Sequence, residues 1–392
     1  MAGETSRRGV LKMGAAMAMG ELTPAGAADG GASGRIKLDR PKPPLVFGHR
    51  GACALRPEHT LASYAKAMAD GADFIEPDLV ATRDGVLVAR HENNIVETTD
   101  VTRRREFANR RTTKKIDGRE VEGWFTEDFT FAELKTLRAK ERLDAALRPE
   151  SHSYDGDFQI PSFDEIVDFV AAQTAAGRRP VGLIPELKHS TYFASIGLPL
   201  EDRFLNALRP PRNVLRGMRV IVQSFEIGNL RRLRQSLSGD RNFQLMQLTE
   251  NATGEMPADR AAAGDMRSWA ERLQSKEGLA EIAEYADWIA PSARDLIPAG
   301  PDGRLTQGTG LIDRAHEAGM LVCAWTFRPE NKFLPRDFRS GDGDNARNPE
   351  GSVAEMSRYL EAGVDAFFTD DPALGRRAVD GAARMAPGAP AP

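Results

Sequence analysis

Four short stretches of this chain collect residue types that move protons or hold charge. Gly48-His49-Arg50-Gly51-Ala52 sets an acid/base group beside a fixed cation, between glycines that let the backbone turn sharply. Glu76-Pro77-Asp78 carries two carboxylates two residues apart, which an extended strand sends to one face. Like charges that close are costly, and a hard divalent cation is the usual remedy. Glu186-Leu187-Lys188 repeats the device, adding one oxygen ligand and one cation. Val86–His91, after the turn Arg83-Asp84-Gly85, reads as a β-hairpin arm that returns His91 to the same place. Each stretch alone has a structural explanation. A lone histidine is more often a surface or satisfied core residue, an E-x-D pair is usually solvated, and Glu186-x-Lys188 can be an ordinary ion pair.

What raises them above that is where the surrounding pattern puts them. Short apolar runs at Leu45–Gly48, Phe74–Leu79, Val181–Leu187, Val220–Ser224, Phe243–Leu248, Trp288–Ala290, Leu321–Trp325 and Ala366–Thr369 read as eight strands. Helix-period segments lie between most of them, among them Leu61–Asp70, Phe163–Ala176, Leu311–Ala318 and Val353–Ala362. Several end in glycine, as at Gly71 and Gly319, the usual left-handed cap before a following strand. Eight β-then-α units predict an α/β fold, a TIM (β/α)8 barrel, over a doubly wound sheet. In such a barrel chemistry gathers where strands end, and each candidate stretch falls at a strand end or returns to one. Two polar stretches do not fit the wall: 94–160, which is Arg-rich, and 328–352, rich in Gly, Asp, Asn and Pro. The first reads as an inserted subdomain after the second strand.

The chain has 392 residues, 41% hydrophobic and 28% charged, which excludes collagen-like, disordered and multi-pass membrane classes. Its 53 Lys+Arg against 57 Asp+Glu give a net charge of −4, so no global field draws nucleic acid or an anionic membrane. Cys53 and Cys323 are too few for a disulfide framework or a cysteine zinc site; a single bridge between them is not expected. Arg7-Arg8 ahead of a weakly apolar, small-residue stretch and Ala25-Gly26-Ala27 resemble a twin-arginine signal peptide, implying passage through the twin-arginine export machinery and a periplasmic or secreted protein. The expected organisation is a leader at 1–28, a linker at 29–43, a barrel domain at 44–380 with its insertion at 94–160, and a disordered tail at 381–392.

Val46–Ala52, Arg56-Pro57-Glu58-His59-Thr60-Leu61, Gly71–Leu79 and the Asp84-Gly85…His91 arm resemble the glycerophosphodiester phosphodiesterase family, its periplasmic bacterial members most of all. The resemblance continues through Pro185–Lys188, Gln223-Ser224-Phe225, Ala286-Asp287-Trp288, Trp325 and Thr369-Asp370-Asp371-Pro372. It implies a TIM barrel with an insertion after the second strand, and metal-dependent hydrolysis of glycerophosphodiesters to sn-glycerol 3-phosphate and an alcohol. It further implies that Glu76, Asp78 and Glu186 hold one divalent cation, Ca²⁺ or Mg²⁺, that His49 and His91 are the general acid/base pair, and that Arg50 and Lys188 offset phosphate charge. In the implied route the glycerol 2-hydroxyl attacks phosphorus, a cyclic phosphate forms, and water opens it. Trp325 is a candidate wall of the alcohol pocket, with plain packing as the alternative.

Two positions depart from the family pattern: His59 stands where Asn is common, and Glu92 where Asp follows the arm histidine. His59 is read as structural, Thr60 as the cap of the Leu61 helix, and Asp370 and Asp371 as structural, Asp371 capping a helix that starts at Pro372. Two other functions remain open. A phospholipase-type phosphodiesterase would act on lysophospholipids, although no basic amphipathic segment stands out and no membrane insertion is expected. A non-catalytic barrel binding protein is the other, since fold does not fix function.

Overall fold

The computed structural model describes residues 38–208, 217–250 and 256–385. The leader lies outside these residues, as do 29–37 of the linker and 386–392 of the tail. The strands are β1 (Leu45–Gly48), β2 (Phe74–Ile75), β3 (Asp78–Ala81), β4 (Leu87–Ala89), β5 (Thr112–Ile116), β6 (Arg119–Gly123), β7 (Gly182–Leu183), β8 (Glu186–Leu187), β9 (Val220–Ser224), β10 (Phe243–Thr249), β11 (Trp288–Pro291), β12 (Leu321–Phe327) and β13 (Ala366–Thr369). Parallel pairing runs β10-β11-β12-β13-β1-β2-β7-β9, and β10 pairs back to β9, so the sheet closes. Eight staves result, because β2 with β3, and β7 with β8, are each one stave in two pieces. The expected second and third strands were continuous. Pro77 and Pro185 sit at the two breaks, where a residue without an N–H cannot donate to the ladder.

Alternation along the staves separates two apolar clusters. Phe47, Phe74, Ile184, Ile221, Met246, Trp288, Cys323 and Phe368 point inward and plug the barrel, with Phe47 edge-on to Phe74 and to Phe368 at centroid distances of 5.1 and 5.2 Å. Val46, Val220, Val222, Leu245, Val322 and Phe367 point outward against the helices. Continuing the inward parity past the plug reaches His49, Glu76 and Asp78, Glu186 and Lys188, Gln223, Trp325 and Asp370. The site is therefore the next layer of the same alternation, on the carboxyl side of the staves.

The opposite end is built for stability. Asp73, Asp287 and Asp365 each precede a strand and accept the backbone N–H of a neighbouring one, at Val46, Leu245 and Val322, at 2.9, 2.9 and 2.8 Å. Arg376, Arg234 and Arg40 pair with them in turn. The linker accordingly does more than connect: Arg40 holds Asp365 at 2.5 Å and Leu38 packs on the plug. At the other terminus the helix Pro372–Met385 carries the chain past 381, because Ala382-Ala383-Arg384-Met385 are strong helix formers.

The expected arm is present: β4 pairs antiparallel with β3, Leu79 opposite Ala89, and Arg90 N–H donates to the Asp78 carbonyl at 2.9 Å. Residues 90–162 follow, containing the hairpin β5–β6, before the helix Phe163–Ala175 begins at a Ser162–Glu165 capping box.

Candidate active site

Register brings three staves level at the mouth, with Asp78 beside Glu186 and Glu186 beside Gln223. One oxygen each of Glu76, Asp78 and Glu186 lie within 4.8 Å of one another, all buried. Gln223 Nε2 donates to Glu76 Oε1 at 2.7 Å, the Arg50 backbone N–H donates to Glu76 Oε2 at 2.9 Å, and His59 Nε2 meets Asp78 Oδ2 at 2.9 Å. Asp78 Oδ1 is buried and has no hydrogen-bond partner among the described residues. Burial, then the charges of Asp78 and Glu186, push the Glu76 carboxyl well above the usual range. Burial and Asp78 push Glu186 up to about 7 against the pull of Lys188. Asp78 is held low, since Lys188 and His59 overcome its burial. An all-oxygen donor set with one orphaned oxygen and two carboxyls pushed up fits a hard divalent cation.

Arg50 and Gly51 both adopt left-handed backbone, φ 54 and 92, which swings the chain over this cluster. A Cβ at Gly51 would stand 2.7 Å from the Ser63 backbone carbon, so only glycine fits. The turn leaves His49 Nε2 3.9 Å from Glu76 Oε2 and His49 Nδ1 2.5 Å from Asp370 Oδ1. Desolvation, then the nearby Arg50, lowers His49 to about 4 in spite of Asp370. Across the mouth His91 Nδ1 meets Glu92, and burial with Arg50 and Lys188 holds its pKa well below the ordinary value. Lys188 Nζ lies 2.9 Å from Glu186 and 5.9 Å over the Phe225 ring. A cleft of about 1010 Å³ opens from His91, Glu186 and Lys188 outward past Phe225, Tyr192 and the tip of β5–β6.

The model of the Glycerophosphoryl diester phosphodiesterase family matches residues 49–374, from His49 to just past Asp370. The chain belongs to that family. It is an enzyme of that phosphodiesterase class. It is 30% identical over 341 residues to glycerophosphodiester phosphodiesterase GDPD6 of Arabidopsis thaliana, covering 83% of each chain. It is 26% identical over 349 residues to a glycerophosphodiester phosphodiesterase of Haemophilus influenzae, covering 85% of this chain and 91% of the other. Among solved structures, an Oleispira antarctica phosphodiesterase in complex with the product sn-glycerol-3-phosphate matches with a TM-score of 0.52 at 18% identity, over 86% of this chain and 97% of that one, a likeness of fold.

Within this phosphodiesterase fold, seven of the eight sequence-derived candidates converge: His49, His91, Arg50, Lys188, Glu76, Asp78 and Glu186. Trp325, the eighth, sits in the same inward layer and makes packing contacts. Its indole N–H donates to the Ala290 carbonyl at 2.8 Å and its ring packs edge-on to Phe225, 5.8 Å away, so Trp325 is packed against a cleft-lining aromatic while remaining part-exposed in the inward layer. Thr60 and Asp371 cap their helices as expected, at Ser63 N (3.1 Å) and Leu374 N (3.4 Å). Cys53 and Cys323 are free and buried.

Asp370, read from the sequence as structural, contacts His49. It follows β13 next to β1 and turns one oxygen to His49; its place two residues past the inward Phe368 was the available signal. Glu58 lies between Arg50 at 2.9 Å and Arg142 at 2.6 Å, and the second of these partners comes from the insertion, which no local pattern reveals.

Proposed function

We propose that this enzyme hydrolyses glycerophosphodiesters to sn-glycerol 3-phosphate and a free alcohol outside the cytoplasm, with one divalent cation, Ca²⁺ or Mg²⁺, at Glu76, Asp78 and Glu186. The observation that carries the reading is the placement of two carboxylate-paired histidines beside a buried cluster of three carboxylates in which Asp78 Oδ1 has no hydrogen-bond partner among the described residues. When bound, the cation would supply positive charge for the phosphate and lower the pKa of a coordinated hydroxyl.

The chain's own groups do the rest. Arg50 and Lys188 face the diester anion and offset its charge. His49, neutral at pH 7, takes the proton of the attacking 2-hydroxyl at Nε2 while that oxygen bonds to phosphorus. His91, which borders the cleft, gives a proton to the departing alcohol oxygen as the P–O bond breaks. The anionic diester, absent from the free site, favours the protonated ring that this step needs. A cyclic phosphate remains, and water opens it with the two histidines exchanging roles. Phe225 and the cleft beyond it receive the alcohol.

The support for export is the twin-arginine-type leader, and cell fractionation checks it. The decisive assay is sn-glycerol 3-phosphate release from glycerophosphocholine by purified protein with Ca²⁺ or Mg²⁺, beside His49→Ala. We expect release that chelator stops and a loss of ~10²–10⁴-fold in the variant. Wild-type turnover in His49→Ala would end the two-histidine account.

A further inference from the structure

Each histidine at the mouth is backed by the same three-part chain, and both chains end in the inserted segment. His49 Nδ1 meets Asp370 Oδ1 at 2.5 Å; Asp370 Oδ2 is taken by Arg148. Arg148 is itself fixed, its Nε donating to Glu330 at 2.8 Å and one terminal nitrogen to the Cys53 carbonyl at 3.0 Å. His91 Nδ1 meets Glu92 Oε1; Arg142 spans both oxygens of Glu92, at 3.3 and 3.1 Å, and reaches Glu58 at 2.6 Å. Arg142 and Arg148 lie six residues apart, and no barrel stave supplies either.

We propose that Arg142 and Arg148 are positioning residues of the insertion, fixing the tautomer and ring orientation of His91 and His49 through Glu92 and Asp370. The proposal rests on the reading of those histidines as the acid/base pair.

The chemistry follows from what an arginine fork does to a carboxylate. Arg142 sets two nitrogens on the two oxygens of Glu92, whereas Arg148 sets one on Asp370 Oδ2, with Arg328 Nε 3.5 Å from the same oxygen; in both cases the planar guanidinium, fixed by its other partners, leaves the remaining carboxylate lone pairs aimed one way. It also keeps the carboxylate ionised: burial pushes Asp370 up, and Arg148 and then His49 hold it well below the usual range, while Arg142 does the same for Glu92. An ionised carboxylate only accepts hydrogen bonds, so each ring must place its proton on Nδ1. Nε2 then faces the substrate with a free lone pair when neutral, or a proton to give when charged. A carboxylate free to rotate or to carry a proton would admit the other tautomer, whose Nε2 cannot act as base. The two chains differ in their surroundings. Arg148 and Asp370 have 4% and 2% of their side chains exposed, whereas Arg142 and Glu92 have 15% and 38%. The His91 chain is thus the one open to water at the cleft.

Salt bridges that merely fasten the insertion to the barrel would look the same in outline, so the test must read the rings. The full-length protein has six histidines, few enough for ¹⁵N-imidazole spectra of metal-free, histidine-labelled chain. In the wild type we expect His49 and His91 as the Nδ1–H tautomer. Arg148→Gln should move His49 alone toward a tautomer mixture, and Arg142→Gln His91 alone, each lowering kcat roughly 10–100-fold with a smaller change in KM. Arg142→Lys and Arg148→Lys, which keep the charge and lose the fork, should recover part of both. Folded variants with unchanged tautomers overturn the proposal. Should Arg148→Gln fail to fold, Arg148→Lys takes its place, with the same displacement expected at smaller size and an unchanged His49 spectrum again overturning it. A wild type without diester activity, whose tautomers still respond to the arginine variants, would refute the acid/base reading and leave the clamps standing.

Discussion

Carboxylates at the barrel mouth meet two opposite fates. Glu76 and Glu186, facing each other and Asp78, are pushed up; Asp370, Glu58 and Glu92, each gripped by an arginine, are held down. Burial raises all five, so burial is not the difference. The difference is where the compensating charge comes from. For the second group it is written into the chain, as Arg148, Arg50 and Arg142. For the first, Lys188 opposes the rise at Glu186 and, with His59, holds Asp78 low, while Glu76 is pushed up by both neighbouring carboxylates, so the cluster is only partly compensated by the chain's own cations. One region is compensated by the chain itself, and the other is the one in which the proposed cation would supply the missing charge.

The largest expected effect breaks the incomplete region. Glu76→Gln keeps shape and removes a charge, so Ca²⁺ or Mg²⁺ binding measured by calorimetry should disappear and diester turnover should fall by at least ~10³-fold. Glu92→Gln, in the complete region, should leave cation binding intact. Equal loss of cation binding in both variants would erase the distinction.

Next in size is the division of labour between the histidines. A general acid matters in proportion to how poor the leaving group is. His91→Ala should therefore lose ~10²–10⁴-fold on glycerophosphocholine and far less on a diester whose leaving group is a nitrophenolate. Glu76→Gln should lose similarly on both, because charge neutralisation at phosphorus is needed whichever oxygen departs. A His91→Ala loss that ignores the leaving group would move the acid role away from the cleft side.

The same contrast explains what could be read in the sequence. Staves and their inward residues follow local rules, so period-2 alternation and strand-end position located His49, Glu76, Asp78, Glu186 and Lys188, and the Asp84-Gly85 turn located the arm. The breaks at Pro77 and Pro185 were in plain view but leave register, and hence the site, intact. The contact of Asp370 with His49 was not legible, because Asp-Asp-Pro suits a helix cap, which Asp371 indeed supplies, and only barrel closure puts β13 beside β1. Arg142 and Arg148 carried no signal: in an Arg-rich insertion, nothing local separates an arginine that reaches across the mouth from one that faces water. Strand-end position brought Trp325 to the inward layer but said nothing of its hydrogen bond, which its indole N–H makes to Ala290 on a neighbouring strand.

The smallest effect concerns stability without the ion. Glu186 has a folded-state pKa of about 7 against an ordinary 4.5, so between those values the folded chain binds more protons than the unfolded one. Stability contributed at this site then falls as pH rises through that window and levels off above it. His49 acts in the opposite sense, its folded pKa of about 4 lying below 6.5, so that stability rises with pH between those values. A melting curve of the wild type alone would mix these with other shifted groups, Glu76 and Glu226 among them. The difference between wild type and Glu186→Gln cancels groups outside the cluster and keeps Glu186 with the part of the Glu76 rise that Glu186 causes, which has the same sign: in metal-free buffer the variant's advantage in Tm should grow between pH 4.5 and 7, by a few degrees at roughly 2–4 °C per kcal/mol, and should shrink when Ca²⁺ or Mg²⁺ is added. A difference that is flat with pH, or unmoved by the cation, would mean that Lys188 already satisfies the cluster and that the two groups of carboxylates are alike after all.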